Sequence, residues 1–187
     1  KTRASQPDPK YLISLIFFVA VSLTAPISCA KVQISGFLWV IVSTMVFQGT
    51  SALALDGKGR ITVPVRQREL LRATSDGRLT IVKSLGGFLI LFPRPVWEAF
   101  RDSLLALPMV AERARRFTIG SAVDVEIDGG ERVLIPPELR EFAGLAKDVL
   151  LIGNGIKLEL WDKQRYVDEE AQVIAQGMPD EIMGLIF

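Results

Sequence analysis

Fourteen residues, Leu55–Arg68, read LDGKGRITVPVRQR and contain the signals that decide the local fold. A polar turn, Asp56–Gly59, precedes a short apolar strand that ends at Pro64. Glycine supplies the positive φ of a tight turn, Asp accepts hydrogen bonds from the backbone two residues on, and Pro ends a strand and suits the start of a helix. The stretch predicts a hairpin and a short helix that bring four basic side chains close together, namely Lys58, Arg60, Arg66 and Arg68.

The same pattern occurs a second time, at a constant offset of 72 residues (128 − 56). Both copies follow D-x-x-x-R-Φ-x-Φ-P, in which Φ is an apolar residue, and the segments 88–92 and 157–161 are also similar. The residues expected to shape the two turns and to end the two strands are Asp56, Gly57, Gly59, Pro64, Asp128, Gly129 and Pro136. A repeated pattern with fixed spacing is far more specific than a single glycine-rich turn. The sequence therefore indicates an internal duplication.

Residues Met45 to about Trp161 resemble the MraZ family of bacterial transcriptional regulators, in which each of two repeats has a D-x-x-x-R motif. The resemblance rests on the opening MVFQG of Met45–Gly49, on the DGKGR turn, and on the LFP and LWD segments that end the two copies. It implies an α+β fold: a duplicated swapped-hairpin β-barrel of the AbrB type, with short helices and a pseudo-twofold relation within the chain.

The resemblance also implies a function and partners. Members of the family form ring-shaped homo-oligomers in the cytoplasm, associate with the nucleoid, and bind double-stranded DNA at repeated G-rich boxes ahead of the cell-division and cell-wall gene cluster. Carried over to this chain, the expected DNA-binding residues are Lys58, Arg60, Arg66, Arg68 and Arg132. No small-molecule substrate is implied.

Composition excludes several classes of enzyme. The chain of 187 residues has no His, and its only Cys, Cys29, lies outside the duplication. Ser-His-Asp and Cys-His catalytic sets and the usual zinc sites therefore cannot form, and we expect no cofactor, no metal and no catalytic activity. The net charge is +1, of which residues 1–44 contribute +3 and the remainder −2, so the overall charge neither supports nor opposes DNA binding.

The first 44 residues differ from the rest of the chain, because the family resemblance begins abruptly at Met45. Residues 11–30 have no charged side chain, and this run is long enough to span a bilayer. Three readings remain open: a wrongly assigned start that adds non-native sequence, a membrane or signal segment, and an expression artefact. We expect the rest to divide into a first repeat with connecting helices over 45–118, a second repeat with a C-terminal helix over 119–176, and a flexible tail over 177–187.

Local patterns predict a hairpin at the start of each copy. In the first copy, residues 51–55 pair with 61–63, and in the second, residues 122–127 pair with 131–134. A second hairpin follows in each copy, formed by 79–83 with 88–92 and by 149–152 with 157–161. The expected helices cover about 64–73, 96–107, 110–119, the segment after Pro136 as far as Gly144, and 162–176, where Asp162 is the N-cap and Gly144 the C-cap.

Arg60 is the residue that we expect most strongly to contact DNA. Its guanidinium can form two hydrogen bonds to O6 and N7 of a guanine in the major groove. The alternative is that it pairs with Asp56 or a neighbouring carboxylate and holds the turn together. Lys58 suits a phosphate, because an ammonium is a point charge without the guanidinium's planar geometry. Its alternative is a solvated lysine.

Three further arginines follow on the predicted helix. Arg68 and Arg72 are four residues apart and share a face, while Arg66 is displaced from it. These side chains are expected either to contact phosphates or to be solvated, with Glu69 partly neutralising them.

The second copy lacks several of these charges. Lys58, Gly59 and Arg66 correspond to Gly130, Glu131 and Glu138. Because Glu131 would repel a phosphate, the second turn is expected to bind DNA poorly. Arg132 is either a weaker DNA contact or a structural partner of Asp128. The prediction is that the first copy binds and the second copy braces.

Together these observations favour a sequence-specific DNA-binding regulator without catalytic activity. Two alternatives stay open. One is an oligomerisation module whose arginines are used in salt bridges, and the other is a membrane-anchored binding protein if residues 11–30 are native.

Overall fold

The computed structural model describes residues 46–177. The extension 1–44 and residues 178–187 of the predicted tail lie outside the described residues, as does the uncharged run 11–30. Within the described part, none of the helices combines the length and the apolar character that crossing a bilayer requires. The readings of the extension therefore remain predictions.

The described chain contains eight strands, five α-helices and one short 3-10 helix. The first copy contains β1 (Phe47–Ala54), β2 (Arg60–Thr62), α1 (Val65–Ser75), β3 (Arg78–Lys83), β4 (Leu89–Pro93), α2 (Arg94–Ala106), the 3-10 helix (Met109–Ala111) and α3 (Glu112–Ile119). The second copy contains β5 (Val123–Glu126), β6 (Arg132–Leu134), α4 (Pro137–Ala143), β7 (Asp148–Gly155), β8 (Lys157–Asp162) and α5 (Lys163–Gln176). The fold is α+β, as predicted.

The predicted helix ends are confirmed where a capping residue defines them. Asp162 accepts hydrogen bonds from the backbone N–H groups of Gln164 at 3.0 Å and Arg165 at 3.3 Å, so it caps α5. Gly144 has φ 61° and ends α4 in the left-handed conformation. Pro64 and Pro136 stand immediately before α1 and α4, and both have an extended ψ that separates strand from helix.

The predicted hairpins at the start of each copy are wrong. β1 pairs with β7, β5 pairs with β3, and β2 pairs with β6, so each of these ladders joins one copy to the other. The result is a six-stranded sheet in the order β1-β7-β8-β4-β3-β5 and a two-stranded sheet β2-β6. A three-residue strand makes a weak local hairpin, whereas pairing across copies buries Ile61 and Val133 completely. The later hairpins, β3-β4 and β7-β8, form as predicted.

The strand pairing is symmetric between the two copies: replacing every strand by its counterpart in the other copy gives the same set of ladders. In the β2-β6 ladder, Ile61 faces Val133, its own counterpart at the offset of 72. In the β4-β8 ladder, Ile90 faces Glu159 at an offset of 69 (159 − 90), the same offset that relates the similar segments 88–92 and 157–161. The offset decreases between these ladders, and within this interval α4 has 7 residues whereas α1 has 11.

Both copies contribute to one hydrophobic core, as expected for repeats too small to bury a core alone. The largest fully buried side chains are Phe47, Ile61, Leu71, Leu79, Ile81, Leu89, Leu91, Phe92, Ile135, Leu139 and Leu151. Each such side chain contributes about 1.5–3 kcal/mol relative to remaining exposed. Trp97 packs against Phe92 and Phe100, and Trp161 stacks on Phe88 at 4.1 Å, so both tryptophans have a packing role.

Candidate nucleic-acid interface

The first turn is held together by the Asp56 carboxylate. Its Oδ1 accepts hydrogen bonds from the backbone N–H groups of Lys58 at 2.8 Å and Arg60 at 3.0 Å. The backbone closes the same turn through Gly59 N to Asp56 O and Asp56 N to Arg60 O, both at 2.9 Å. This confirms the predicted role of Asp56. Of the two glycines in the turn, only Gly59 has a positive φ, at 78°.

The Arg60 side chain closes on the same carboxylate. Its Nε donates to Asp56 Oδ2 at 2.8 Å, and its Nη2 lies 2.6 Å from that oxygen. Its Nη1 lies 3.9 Å from Asp128 Oδ2 of the second copy, and 23% of the side chain is exposed. The structure therefore shows the turn-bracing alternative for Arg60. A guanine contact stays a prediction that requires part of this ion pair to open.

These contacts change the ionisation of Asp56. The hydrogen bond from the Arg60 side chain, followed by the one from the Arg60 backbone, lowers the pKa of Asp56 from 3.8 to about 2. Hydrogen bonds to the charged form of a carboxyl stabilise that form. The carboxylate that shapes the turn is therefore ionised at every physiological pH.

The second turn repeats the backbone geometry of the first. Asp128 Oδ1 accepts from Gly130 N at 2.8 Å and from Arg132 N at 2.9 Å. Arg132 Nη2 lies 3.3 Å from Asp128 Oδ2, which is the structural pair weighed for this arginine. The backbone hydrogen bond from Arg132 lowers the pKa of Asp128.

One residue distinguishes the second turn. Glu131 occupies the position of Gly59 and adopts φ 64°, a left-handed conformation that is unfavourable for a residue with a Cβ. Its carboxylate accepts two hydrogen bonds from Arg72 Nη2, at 2.8 Å each, and lies 3.3 Å from Arg68 Nε. The acid that neutralises the basic face of α1 is thus Glu131 of the other copy. Arg68 already has a carboxylate partner, and its predicted phosphate contact stays a prediction.

Two of the predicted DNA-binding residues have no side-chain partner in the described part of the chain. Lys58 and Arg66 are both exposed, and neither side chain has a hydrogen-bond or ion-pair partner within residues 46–177. Two of the three arginines on α3 are different, because Arg115 donates to the carbonyls of Leu105 and Leu107 at 3.3 Å each and Arg116 lies 2.6 Å from Glu112. The third, Arg113, is exposed and has no partner among the described residues. Lys58, at the tip of the first turn, and Arg66, at the start of α1, are the better candidates for phosphates.

Arg140 belongs to the same region but was not among the predicted DNA-binding residues. It lies on α4 of the second copy, and its guanidinium packs directly against Gly59 in the turn of the first. The alignment of the copies pairs Arg140 with Arg68, which was the one available signal. That alignment does not reveal that the copies interleave.

Comparison with known proteins agrees with the duplication. The profile of one protein family, described as "MraZ protein, putative antitoxin-like", matches residues 46–120 and again residues 118–179. A protein named "Transcriptional regulator MraZ" from Methylibium petroleiphilum is 55% identical over 141 residues, which are 75% of this chain and 97% of that protein. Proteins of the same name from Leptothrix cholodnii and Burkholderia vietnamiensis are 57% identical over 141 residues and 51% identical over 142 residues. These alignments cover 75% and 76% of this chain and 97% and 100% of the two relatives.

Proposed function

The chain belongs to the MraZ family, and from that premise we propose that it is a transcriptional regulator that binds double-stranded DNA. The relatives are named as transcriptional regulators, which also supports a protein without catalytic activity. The observation that supports the proposal is the structure of the first turn, Asp56–Gly59. Asp56 and Arg60 fix its backbone, and Lys58 stands exposed at its tip without a partner in the described part of the chain. A rigid, cationic turn suits binding to the DNA backbone because little order has to be gained on contact.

The proposed contacts differ among the basic residues. Lys58 and Arg66 bind phosphates, since no carboxylate in residues 46–177 pairs with either charge. Part of the ion pair between Arg60 and Asp56 opens, and the Arg60 guanidinium then forms hydrogen bonds to the edge of a guanine. Arg68 and Arg132 stay proposed contacts as well, although Glu131 and Asp128 respectively lie against them. The proposed target is the set of repeated G-rich boxes ahead of the cell-division and cell-wall gene cluster.

The proposed architecture follows from the exchanged strands. We propose a duplicated swapped-hairpin barrel with a pseudo-twofold relation, built from repeats over 45–118 and 119–176. Its support is the set of ladders that join the two copies, β1-β7, β3-β5 and β2-β6. We further propose a ring-shaped homo-oligomer in the cytoplasm and on the nucleoid. Several first turns would then bind successive boxes, so that effective concentration raises the affinity.

Fluorescence anisotropy tests the proposed function. The full chain is titrated onto DNA from upstream of its own gene and onto scrambled DNA of equal length, at several salt concentrations. We expect tighter binding to the upstream DNA that weakens with salt, since log K falls by about 0.9 per phosphate contact for each tenfold rise in salt. Equal affinity for the two DNAs would contradict sequence-specific binding. Absence of binding to either DNA would favour the oligomerisation module.

A further inference from the structure

The two turns contact the helices of the opposite copies in equivalent ways. Glu131 meets Arg68 of α1, and its counterpart Gly59 meets Arg140 of α4, which is the counterpart of Arg68 (140 − 68 = 72). At one of these places a carboxylate fills the space between turn and arginine. At the other there is no side chain, and a Cβ built on Gly59 would lie 2.6 Å from Arg140 Cζ. Arg140 occupies the space that a side chain at Gly59 would fill.

Arg140 is without a polar partner among the described residues. Its Nε is buried without a hydrogen-bond acceptor, and the side chain forms no ion pair or hydrogen bond within residues 46–177. A buried donor without an acceptor is destabilising, and this is more so for a charged group. The equivalent arginine of the first copy, Arg68, has the Glu131 carboxylate 3.3 Å away. The structure thus contains the same arginine site twice, once with an anion and once without.

We propose that Gly59 and Arg140 form an anion site that takes a backbone phosphate of DNA in the place that Glu131 occupies at the other turn. This inference rests on the proposed function and adds to it a contact made by the second copy. The absent Cβ at Gly59 leaves room for the Arg140 guanidinium to lie against the first turn. The Arg140 guanidinium supplies charge-assisted hydrogen bonds to the phosphate oxygens.

Lys58 is the reason that a phosphate fits this site better than a carboxylate from another subunit. It is the residue before Gly59, it is exposed, and no other side chain in the described part of the chain pairs with it. A phosphate that contacts Arg140 therefore has a second cation on the same turn. A carboxylate from another subunit would satisfy Arg140 and leave Lys58 without a partner.

The test compares the salt dependence of DNA binding for the full chain and three variants. Arg140→Gln removes the guanidinium. Gly59→Glu keeps the arginine in the chain but displaces its guanidinium from the turn and supplies a carboxylate beside it. Gly59 has φ 78°, close to the 64° of Glu131. Arg113→Gln is the matched control, because it removes an exposed arginine from α3 that has no partner among the described residues. Sedimentation of each variant reports whether its oligomeric state is retained.

We expect the slope of log Kd against log salt to fall by about 0.9 for each phosphate that is no longer bound, in Arg140→Gln and in Gly59→Glu but not in Arg113→Gln. If the parent binds DNA tightly and both site variants have the same slope as the parent, the anion site is overturned and the proposed function is not. A changed mass with an unchanged slope would assign Arg140 to a subunit contact and would likewise overturn it. Absence of specific binding by the parent would overturn both.

Discussion

The turns at Asp56–Arg60 and Asp128–Arg132 have the same backbone hydrogen bonds and opposite electrostatic surroundings. In both, the Asp carboxylate accepts from the N–H groups two and four residues on, at 2.8–3.0 Å. The first turn places a glycine beside an arginine without a partner in the described part of the chain, whereas the second places Glu131 between two arginines. The two turns thus share their backbone geometry, and one residue per turn, Gly59 or Glu131, decides whether the neighbouring arginine has a carboxylate beside it.

The comparison also shows that residues of both copies surround each turn. The acid that neutralises α1 of the first copy comes from the second, and the arginine beside the first turn comes from the second copy as well. The prediction that the first copy binds DNA and the second braces remains a prediction, and the surroundings of each turn include residues of both copies.

The largest expected loss of stability is that of a variant in the shared core, and its unfolding also tests whether the two copies unfold together. Ile61→Ala removes a fully buried side chain at the centre of the β2-β6 ladder and should lower the free energy of unfolding by about 2–5 kcal/mol. Because the core is shared, denaturant unfolding followed by circular dichroism and by tryptophan fluorescence should show one transition. The exposed neighbour Thr62→Ala is the control, with a change within about 0.5 kcal/mol. Separate transitions for the two probes would refute a common core.

The next effect isolates the backbone strain at the second turn. Glu131→Ala and Glu131→Gly both remove the ion pairs with Arg68 and Arg72, but only Gly adopts φ 64° without a steric penalty. The Gly variant should therefore be more stable than the Ala variant by about 1 kcal/mol. Equal unfolding midpoints and slopes in urea would show that the left-handed conformation is not costly here.

The pH dependence of stability should contain a contribution from the first turn. Because folding lowers the pKa of Asp56 from 3.8 to about 2, its ionised form stabilises the folded chain fully above pH 3.8, and this contribution is lost as the pH falls through about 2. Asp56→Asn keeps an acceptor but cannot ionise. Its stability deficit relative to the parent should shrink over this window, as measured by urea unfolding. A deficit independent of pH would contradict the ion pair with Arg60.

The smallest effect on stability is expected at Lys58. Lys58→Gln removes an exposed charge without a partner in the described part of the chain, so the free energy of unfolding should change by less than about 0.5 kcal/mol. The salt slope of DNA binding should nevertheless fall by about 0.9 for each phosphate that Lys58 binds in the parent. A parental slope would remove Lys58 from the proposed interface.

Local features of the fold could be predicted from the sequence, and non-local ones could not. The Asp56 turn, the Asp162 cap and the Gly144 cap each depend on a few neighbouring residues, and all three are present. The partner of β2 was predicted wrongly, as residues 51–55, because the alternation at Ile61 and Val63 is the same whether the strand pairs within its copy or with β6.

The same limit applies to the candidate site. The alignment of the two copies identified Glu131 as a departure from the first copy and Arg140 as the counterpart of Arg68. Only the interleaved fold shows that Glu131 neutralises α1 and that Arg140 lies over Gly59. Those contacts join residues 59 and 81 positions apart (131 − 72 and 140 − 59), and a repeat pattern alone contains no information about them.

The most direct measurement is the salt dependence of DNA binding by Glu131→Gly beside the parent. This substitution gives the second turn the residue of the first and releases Arg68 and Arg72 from their carboxylate. If the residue at this position decides whether a turn is open to phosphate, the variant should bind DNA more tightly at low salt, with a slope steeper by about 0.9 for each additional phosphate bound. An affinity and slope equal to those of the parent would contradict that claim.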